Sequence, residues 1–322
     1  MRINLLAGLR HFRFFLGRPT LAWRTFKGYF KTIVLRQDVL RSVEFAVLFQ
    51  CNYSCDKCYS KKLFKPGVDQ ISIDHVKRLW RECLDLGVIH VNITGGEPFI
   101  RKDLPELIRA FQPSKTLVSL VTNGSLVTYQ RLAECRDAGL TSLQISLDSS
   151  KSEVHDALRK HKGSFDQVMK VASWCHDLGI IPCFSTVVCH ESMNDLQNMI
   201  NLAKEKNCFL LFNLAGTEGG WEGKEEVLLT KEELFKADSL RKKHPWVRQD
   251  LMFNFRGVEG CPAGLEKMYL TTHGDVYSCV YLQKHWGNFF KEELKTIWNR
   301  MRNNPEFQKK CKRCLRYENK YR

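Results

Sequence analysis

No run of apolar residues in this chain reaches the roughly 18–20 needed to span a bilayer as a helix. The amino-terminal stretch "MRINLLAGLRHFRFF" lacks an uninterrupted apolar core and a small-residue cleavage site, which argues against a secretory signal. A cytoplasmic location is the resulting expectation. Acidic residues are absent from 1–37, where Arg2, Arg10, Arg13, Arg18, Arg24, Lys27, Lys31 and Arg36 all occur. The first cysteine group, "CNYSCDKC" at 51–58, lacks a fourth cysteine to close a tetrahedral metal site. The cysteine total, 13, is odd. Without a signal sequence, that count disfavours a disulfide framework and favours metal or redox use.

What is present describes an ordinary globular chain. Its 322 residues are 43% hydrophobic and 26% charged, enough for one large domain and a smaller one. The formal charge of +15 reads as simple solubility or as affinity for an anionic partner. Nucleic acid, a phosphorylated substrate or a membrane surface would all qualify. In residues 1–40 the basic residues are interleaved with Leu5, Leu6, Leu9, Phe12, Leu16, Trp23, Phe26, Phe30 and Ile33. Spacings of three and four recur, which predicts a basic amphipathic helical segment, broken at Arg18-Pro19-Thr20. Two readings of residues 1–37 stand side by side. One is contact with a membrane surface or acidic partner, which would make the protein peripheral to a membrane. The other is a helix whose apolar face packs on the domain that follows.

A rhythm begins near residue 41 and lasts to about 250. Six apolar runs of strand length alternate with helical patterns: "EFAVLFQ", "VIHVNIT", "TLVSLVT", "TSLQISL", "IPCFSTVV" and "CFLLFNL". Ser72, Thr128 and Ser164 are predicted helix caps, and Gly87, Gly139 and Gly179 the matching stops. Continuous apolar strands alternating with helices mean parallel βαβ units covered on both faces. Six units are fewer than the eight of a closed barrel. The fold class is therefore α/β, a partial (β/α)6 TIM-like barrel over 41–250. Ligands in such folds bind at the carboxyl ends of the strands.

Unusual polar chemistry falls at those ends. The first strand runs into Cys51, Cys55 and Cys58, the second into "TGGEP" at 94–98, the third into "TNG" at 122–124 and the fourth into "SLD" at 146–148. Three thiolates on a cubic four-iron cluster leave one iron without a protein ligand. An open metal position marks a catalytic site. Gly95 and Gly96 allow close backbone approach, and Glu97 can accept bonds from an amine. Arg159 offers a fork for a carboxylate. Ser146 and Asp148 suit ribose hydroxyls.

In this order and at these strand ends, the motifs resemble the radical S-adenosylmethionine superfamily. "HDALRKHKGSFDQV" at 155–168 resembles a stretch found in members with a cysteine-rich C-terminal extension. The resemblance covers about residues 44–315. It implies a [4Fe-4S] cluster on Cys51, Cys55 and Cys58, with S-adenosylmethionine chelating the open iron. Glu97 would hold the methionyl amine, Arg159 the carboxylate, and Ser146 and Asp148 the ribose. It also implies reductive cleavage to a 5′-deoxyadenosyl radical that takes hydrogen from the substrate, with a flavodoxin- or ferredoxin-type electron donor. The sequence departs from the family at one point. Where an aromatic usually precedes the third cysteine, Lys57 stands, and Tyr59 follows it.

Residues 251–322 read differently. "KMYLTT" and "VYSCVYL" predict a hairpin around "HGD", followed by a helix. Cys261, Cys279, Cys311 and Cys314 form a closed set that structural zinc could also use. The set resembles the short twitch form of the SPASM extension, which implies an auxiliary [4Fe-4S] cluster. Buried small hydrophobe is the reading for Cys83, Cys135 and Cys208. The expected activity is an oxidoreductase-type radical enzyme on an unidentified substrate, either an anionic, phosphorylated or lipid-linked small molecule or a peptide or protein. A zinc-stabilised nucleic-acid-binding protein is the competing class, but it leaves "TGGEP" and "SLD" without a role, so no nucleic acid is expected. Protein prepared without oxygen should therefore be coloured and contain iron. Colourless protein holding zinc would favour the competitor.

Overall fold

The computed structural model describes residues 17–65, 70–249, 260–308 and 314–321. Cys311 lies outside the described residues. One sheet organises the chain. Its strands are β1 (Ser42–Ala46), β2 (His90–Thr94), β3 (Leu117–Thr122), β4 (Leu140–Ser146), β5 (Ile181–Val188), β6 (Phe209–Leu214), β7 (Val247–Arg248), β8 (Lys267–Thr271), β9 (Asp275–Cys279) and β10 (Leu282–Asn288). Their spatial order is β10-β9-β8-β1-β2-β3-β4-β5-β6-β7. From β1 to β7 every pairing is parallel, with register such as Val43 opposite Val91 and Leu120 opposite Leu143. All five residues of β2 are buried, as expected for a strand covered on both faces. The six predicted runs are the six leading strands of the partial barrel, and the two-residue β7 extends it.

The helices are α1 (Pro19–Tyr29), α2 (Ile73–Asp85), α3 (Leu104–Ala110), α4 (Tyr129–Asp137), α5 (Ser152–Arg159), α6 (Ser164–Asp177), α7 (Leu196–Glu205), α8 (Lys231–Lys243), α9 (Leu294–Arg302), α10 (Pro305–Gln308) and α11 (Leu315–Lys320). Ser72 and Thr128 cap α2 and α4 by accepting from the amides three residues on. Thr230 and Glu233 form a reciprocal capping box on α8. The expected cap at Ser164 is not there. Gly163 occupies the cap position in left-handed geometry, and Ser164 is the first helical residue. The orphan donors go instead to Asp156 of α5, whose carboxylate accepts from Gly163 N, Ser164 Oγ and Phe165 N at 2.6, 2.9 and 2.9 Å. A carboxylate serves there better than a hydroxyl because it takes three donors and faces the positive helix end.

The carboxyl-terminal strands differ from the expected two-stranded hairpin. A third strand, β10, returns on β9, and β8 pairs parallel with β1 from Ser42–Lys267 to Ala46–Thr271. The segment thus extends the barrel sheet and covers what would be the exposed edge of β1. Cys83, Cys135, Cys175 and Cys208 lie in the main apolar core, and Cys183 is fully buried. Among the described residues no helix is long and apolar enough to cross a membrane. Ahead of β1, α1 buries Leu21 against Val39 and Ile89, yet Trp23, Phe26 and Phe30 remain exposed. The aromatic stripe of this helix therefore does not pack on the domain.

Removing the Asp156 cap should cost about 1 kcal/mol of stability. Urea unfolding of Asp156→Ala checks this, and an unchanged midpoint would show that the three bonds contribute nothing net.

Candidate active site

Beyond β1 the chain loops over the carboxyl rim, and its position is fixed by backbone contacts. Gly96 N donates to Leu48 O and Glu97 N to Gln50 O, both at 2.9 Å. These bonds carry the β1–β2 ladder past the strand ends. They need bare backbone: a Cβ at Gly96 would lie 2.0 Å from Gln50 O. From the far side of the rim, the loop after β6 closes on the same segment. Gly220 N donates to Cys58 O at 2.9 Å, and a Cβ at Gly220 would lie 1.6 Å from Asp56 O. The glycines of this loop, in "AGTEGGW" at 215–221, therefore clamp the cysteine loop.

Cys51, Cys55 and Cys58 line one cavity that encloses about 1250 Å³, part of it open to solvent. No other cysteine lines it among the described residues. Among those residues no three His, Cys, Asp or Glu side chains are close enough to share a single metal ion. A cubic cluster takes each thiolate at a separate iron, so three cysteines lining one cavity without converging on a single point fit it. The sulfurs are already contacted. Asn123 Nδ2 reaches Cys51 Sγ at 3.8 Å and Asn52 Oδ1 at 3.0 Å, and Ser60 Oγ lies 3.0 Å from Cys58 Sγ. Burial pushes the Cys51 thiol up to about 11. Metal binding must therefore displace a proton that the bare site holds tightly.

The other predicted residues divide. Gly95, Gly96, Ser146 and Arg159 line the cavity. Glu97 is fully buried beneath it and ties β2 to β3: its Oε1 accepts from Phe99 N at 3.0 Å and Thr122 Oγ1 at 2.8 Å, its Oε2 from Asn123 N at 2.7 Å. Burial raises its carboxyl above the usual range, against the pull of those three bonds. Asp148 is likewise enclosed. Lys57 Nζ stands 2.6 Å from its Oδ1, and Arg159 Nε 2.6 Å from its Oδ2. Burial alone would raise the Asp148 carboxyl, but the two cations outweigh it and hold the group well below the ordinary carboxylate range. Lys57, the departure from the expected aromatic, is thus a buried counter-ion.

Support for this centre comes from His155, which opens the "HDALRKHKGSFDQV" stretch, and from Asp195, which the sequence did not single out. His155 Nδ1 accepts from Asp148 N at 3.1 Å. Burial, then the Arg159 charge, lowers this imidazole to about 4, so it is a neutral acceptor. Asp195 accepts from Ser149 Oγ, Ser150 N and Ser150 Oγ at 2.7, 2.7 and 2.5 Å and pins the turn after "SLD". No local pattern announces the Asp195 contacts, because their partners lie 45 and 46 residues away, whereas the His155 contact spans only seven.

A second cysteine group lies behind a wall of tyrosines. Tyr59, next to Cys58, bonds Thr94 Oγ1 at 3.1 Å and meets Tyr269 and Tyr281 edge-on, each at 6.3 Å between ring centroids. Tyr281 is two residues past Cys279. Burial raises the Cys279 thiol and pushes Cys314 up to about 12, and Cys261 adds to both. Cys261 therefore sits within electrostatic reach of both Cys279 and Cys314. Arg316, beside them, pairs with Glu218, bonds Thr217 and donates to Tyr281 O at 3.1 Å. The clamp loop of the first site is in this way anchored on the second.

Fold and site define an α/β partial barrel with an open three-cysteine centre at its carboxyl rim and a second cysteine centre beside it. Residues 47–203 match the family model described as the Radical SAM superfamily, and residues 261–315 match the SPASM model, an iron-sulfur cluster-binding domain. The chain belongs to the radical SAM superfamily and carries a C-terminal SPASM domain. These two domains imply S-adenosylmethionine and [4Fe-4S] clusters, an auxiliary one among them. The chain is 30% identical to the PqqA peptide cyclase of Rhizobium meliloti over 57% of its own length and 49% of the relative. It is 26% identical to an AdoMet-dependent heme synthase of Oleidesulfovibrio alaskensis over 85% of its length and 80% of the relative. It thus spans about half the length of the peptide cyclase. In fold it is similar to Streptococcus suis SuiB, solved bound to precursor peptide SuiA, with a TM-score of 0.65 at 16% identity over 84% of this chain and 66% of that one.

Gly220→Ala should displace the cysteine loop. Turnover should fall by about a hundredfold, the usual consequence of moving a catalytic centre by an ångström. Weakened S-adenosylmethionine binding by calorimetry should accompany it, and unchanged binding would refute the clamp.

Proposed function

We propose that the protein is an enzyme that cleaves S-adenosylmethionine reductively and uses the radical to abstract hydrogen from a peptide or protein. The observation that carries this reading is the cavity lined by three cysteines, with no fourth among the described residues. Cys51, Cys55 and Cys58 would hold one [4Fe-4S] cluster, and Cys261, Cys279, Cys311 and Cys314 the auxiliary one. When bound and reduced, the first cluster would supply one electron to the sulfonium of S-adenosylmethionine, whose C–S bond would break to leave methionine and the 5′-deoxyadenosyl radical. A flavodoxin- or ferredoxin-type donor would deliver that electron; the radical would take one hydrogen atom from a substrate bond, giving 5′-deoxyadenosine and leaving the substrate oxidised by one electron.

The chain's own residues prepare the space. Asn123 orients Cys51 by donating a hydrogen bond from its side-chain amide to the sulfur, a contact that would tune cluster potential. Lys57 and Arg159 place two positive charges at the rim, held in position by Asp148. In this arrangement Arg159 and Ser146 face the cavity to meet the methionyl carboxylate and ribose, next to the bare backbone of Gly95 and Gly96. Glu97 and Asp148, the other two expected contacts, would act from behind that surface through Oε2 and the Lys57–Arg159 pair. Tyr59, Tyr269 and Tyr281 close the wall toward the second centre and exclude water, which protects a radical from side reactions.

Support for a peptide substrate comes from charge. Each charged side chain lining the cavity is already paired: Lys57 and Arg159 with Asp148, Glu44 with Lys267, Glu218 with Arg316. Among the described residues, the anionic small molecule suggested by the +15 charge meets no lining cation beyond Lys57 and Arg159, which Asp148 and the methionyl carboxylate already engage in this reading. Asn92, Gln144, Ser185 and Asn213 also line it. Neutral amides and hydroxyls are the groups that pair with a peptide backbone. The peptide cyclase relative points the same way.

Cys55→Ala should abolish 5′-deoxyadenosine formation, measured by chromatography after reduction with dithionite. Cys261→Ala should lose about half the iron. A Cys55→Ala variant that cleaves at the normal rate would overturn the assignment. Deuterium transfer into 5′-deoxyadenosine from labelled peptides, and not from labelled phosphorylated metabolites, would identify the substrate class.

A further inference from the structure

Helix α1 and the π-helical turn Phe30–Val34 after it expose the face that would ordinarily be hidden. The inner face is small and polar. Leu21 and Gly28 are buried, Arg24 Nη2 donates to Leu84 O and Val88 O at 2.8 and 3.0 Å, and Arg18 Nη1 donates to Thr141 Oγ1 at 3.1 Å. Ile89, Leu117 and Thr141 mark the amino ends of β2, β3 and β4, so these contacts strap the helix to the pole opposite the cysteine triplet.

The outer face is apolar. Trp23, Phe26, Phe30, Ile33 and Val34 are 62, 59, 44, 57 and 61% exposed. Their spacing puts them on one side of the helix. Trp23, Phe26 and Phe30 form a continuous stack, with ring centroids 5.6 and 6.4 Å apart. Lys27, Lys31 and Arg36 border the stack, and residues 1–37 contain no acid to balance them. An exposed apolar stripe of this size implies an occupant. A second copy would bring two acid-free basic faces together, which like charges oppose. An anionic lipid surface complements both features, since aromatic rings settle at the headgroup boundary and lysines meet the phosphates.

We propose that this face docks on an anionic bilayer, the helix lying flat in the headgroup plane. Trp23, Phe26, Phe30, Ile33 and Val34 enter the acyl boundary, and Lys27, Lys31 and Arg36 contact headgroups. The cysteine cavity then opens away from the bilayer, so substrate arrives from the aqueous side.

Flotation of the full chain, purified with its clusters, tests this against phosphatidylcholine vesicles with and without phosphatidylglycerol. The protein should float with the anionic vesicles alone, and added salt should release it. Trp23→Ser/Phe26→Ser/Phe30→Ser and Lys27→Glu/Lys31→Glu should each lower the bound fraction at least about tenfold, with unchanged iron content. Absence of flotation, equal flotation on neutral vesicles, or wild-type flotation by both variants would overturn the proposal. So would a dimer by light scattering that the aromatic variant breaks, which would give the face to a second copy.

Discussion

Strand β1 is paired in parallel on both sides, with β2 and with β8. The remaining architecture depends on that double pairing. A strand locked at both edges cannot slip in register without moving every side chain to the wrong face. The segment that leaves it, carrying Cys51, Cys55 and Cys58, therefore starts from a fixed point. Because β8 leads through β9 to Cys279, the same strand also fixes the second cysteine centre relative to the first. Tyr59, Tyr269 and Tyr281 fill the interval between them.

Around this frame the site is built from approaches that only bare backbone permits and from buried charge. Gly96 and Gly220 hold the cysteine loop between two strand-end loops. Asp148 with Lys57 and Arg159 is a costly group to bury, since each ion gives up its water. It persists because one carboxylate receives a cation on each oxygen. Such a cluster rigidifies the rim, with Lys57 and Arg159 each on one oxygen of Asp148, so the rim owes its shape here to electrostatics.

At the opposite pole, α1 separates two tasks along one helix. Its small inner face anchors it to the strand starts, and its aromatic face is left outward. The apolar periodicity of residues 19–34 was plain in the sequence. Periodicity gives a stripe, however, and not the direction it faces. Arg24, which reads as part of the basic surface, turns inward onto two carbonyls and decides the orientation.

Much of the fold was legible from the chain. Six apolar runs, their caps at Ser72 and Thr128 and the cysteine spacing are local signals, carried by residues close in sequence, and the strands and the rim followed from them. The cap of α6 was misplaced, because Asp156 belongs to the preceding helix and reaches forward over a turn. The third carboxyl-terminal strand and its junction with β1 were not visible either, since parallel pairing links segments more than 200 residues apart without a shared turn. Sequence by itself determined the strands, the close-approach glycines Gly95 and Gly96, and the rim at which Cys51, Cys55 and Cys58 lie. Tertiary structure decided partnership, pairing Lys57 with Asp148, Asn123 with Cys51 and Arg316 with Glu218, because the energy of a buried charge or a close backbone contact depends on neighbours that only folding brings together.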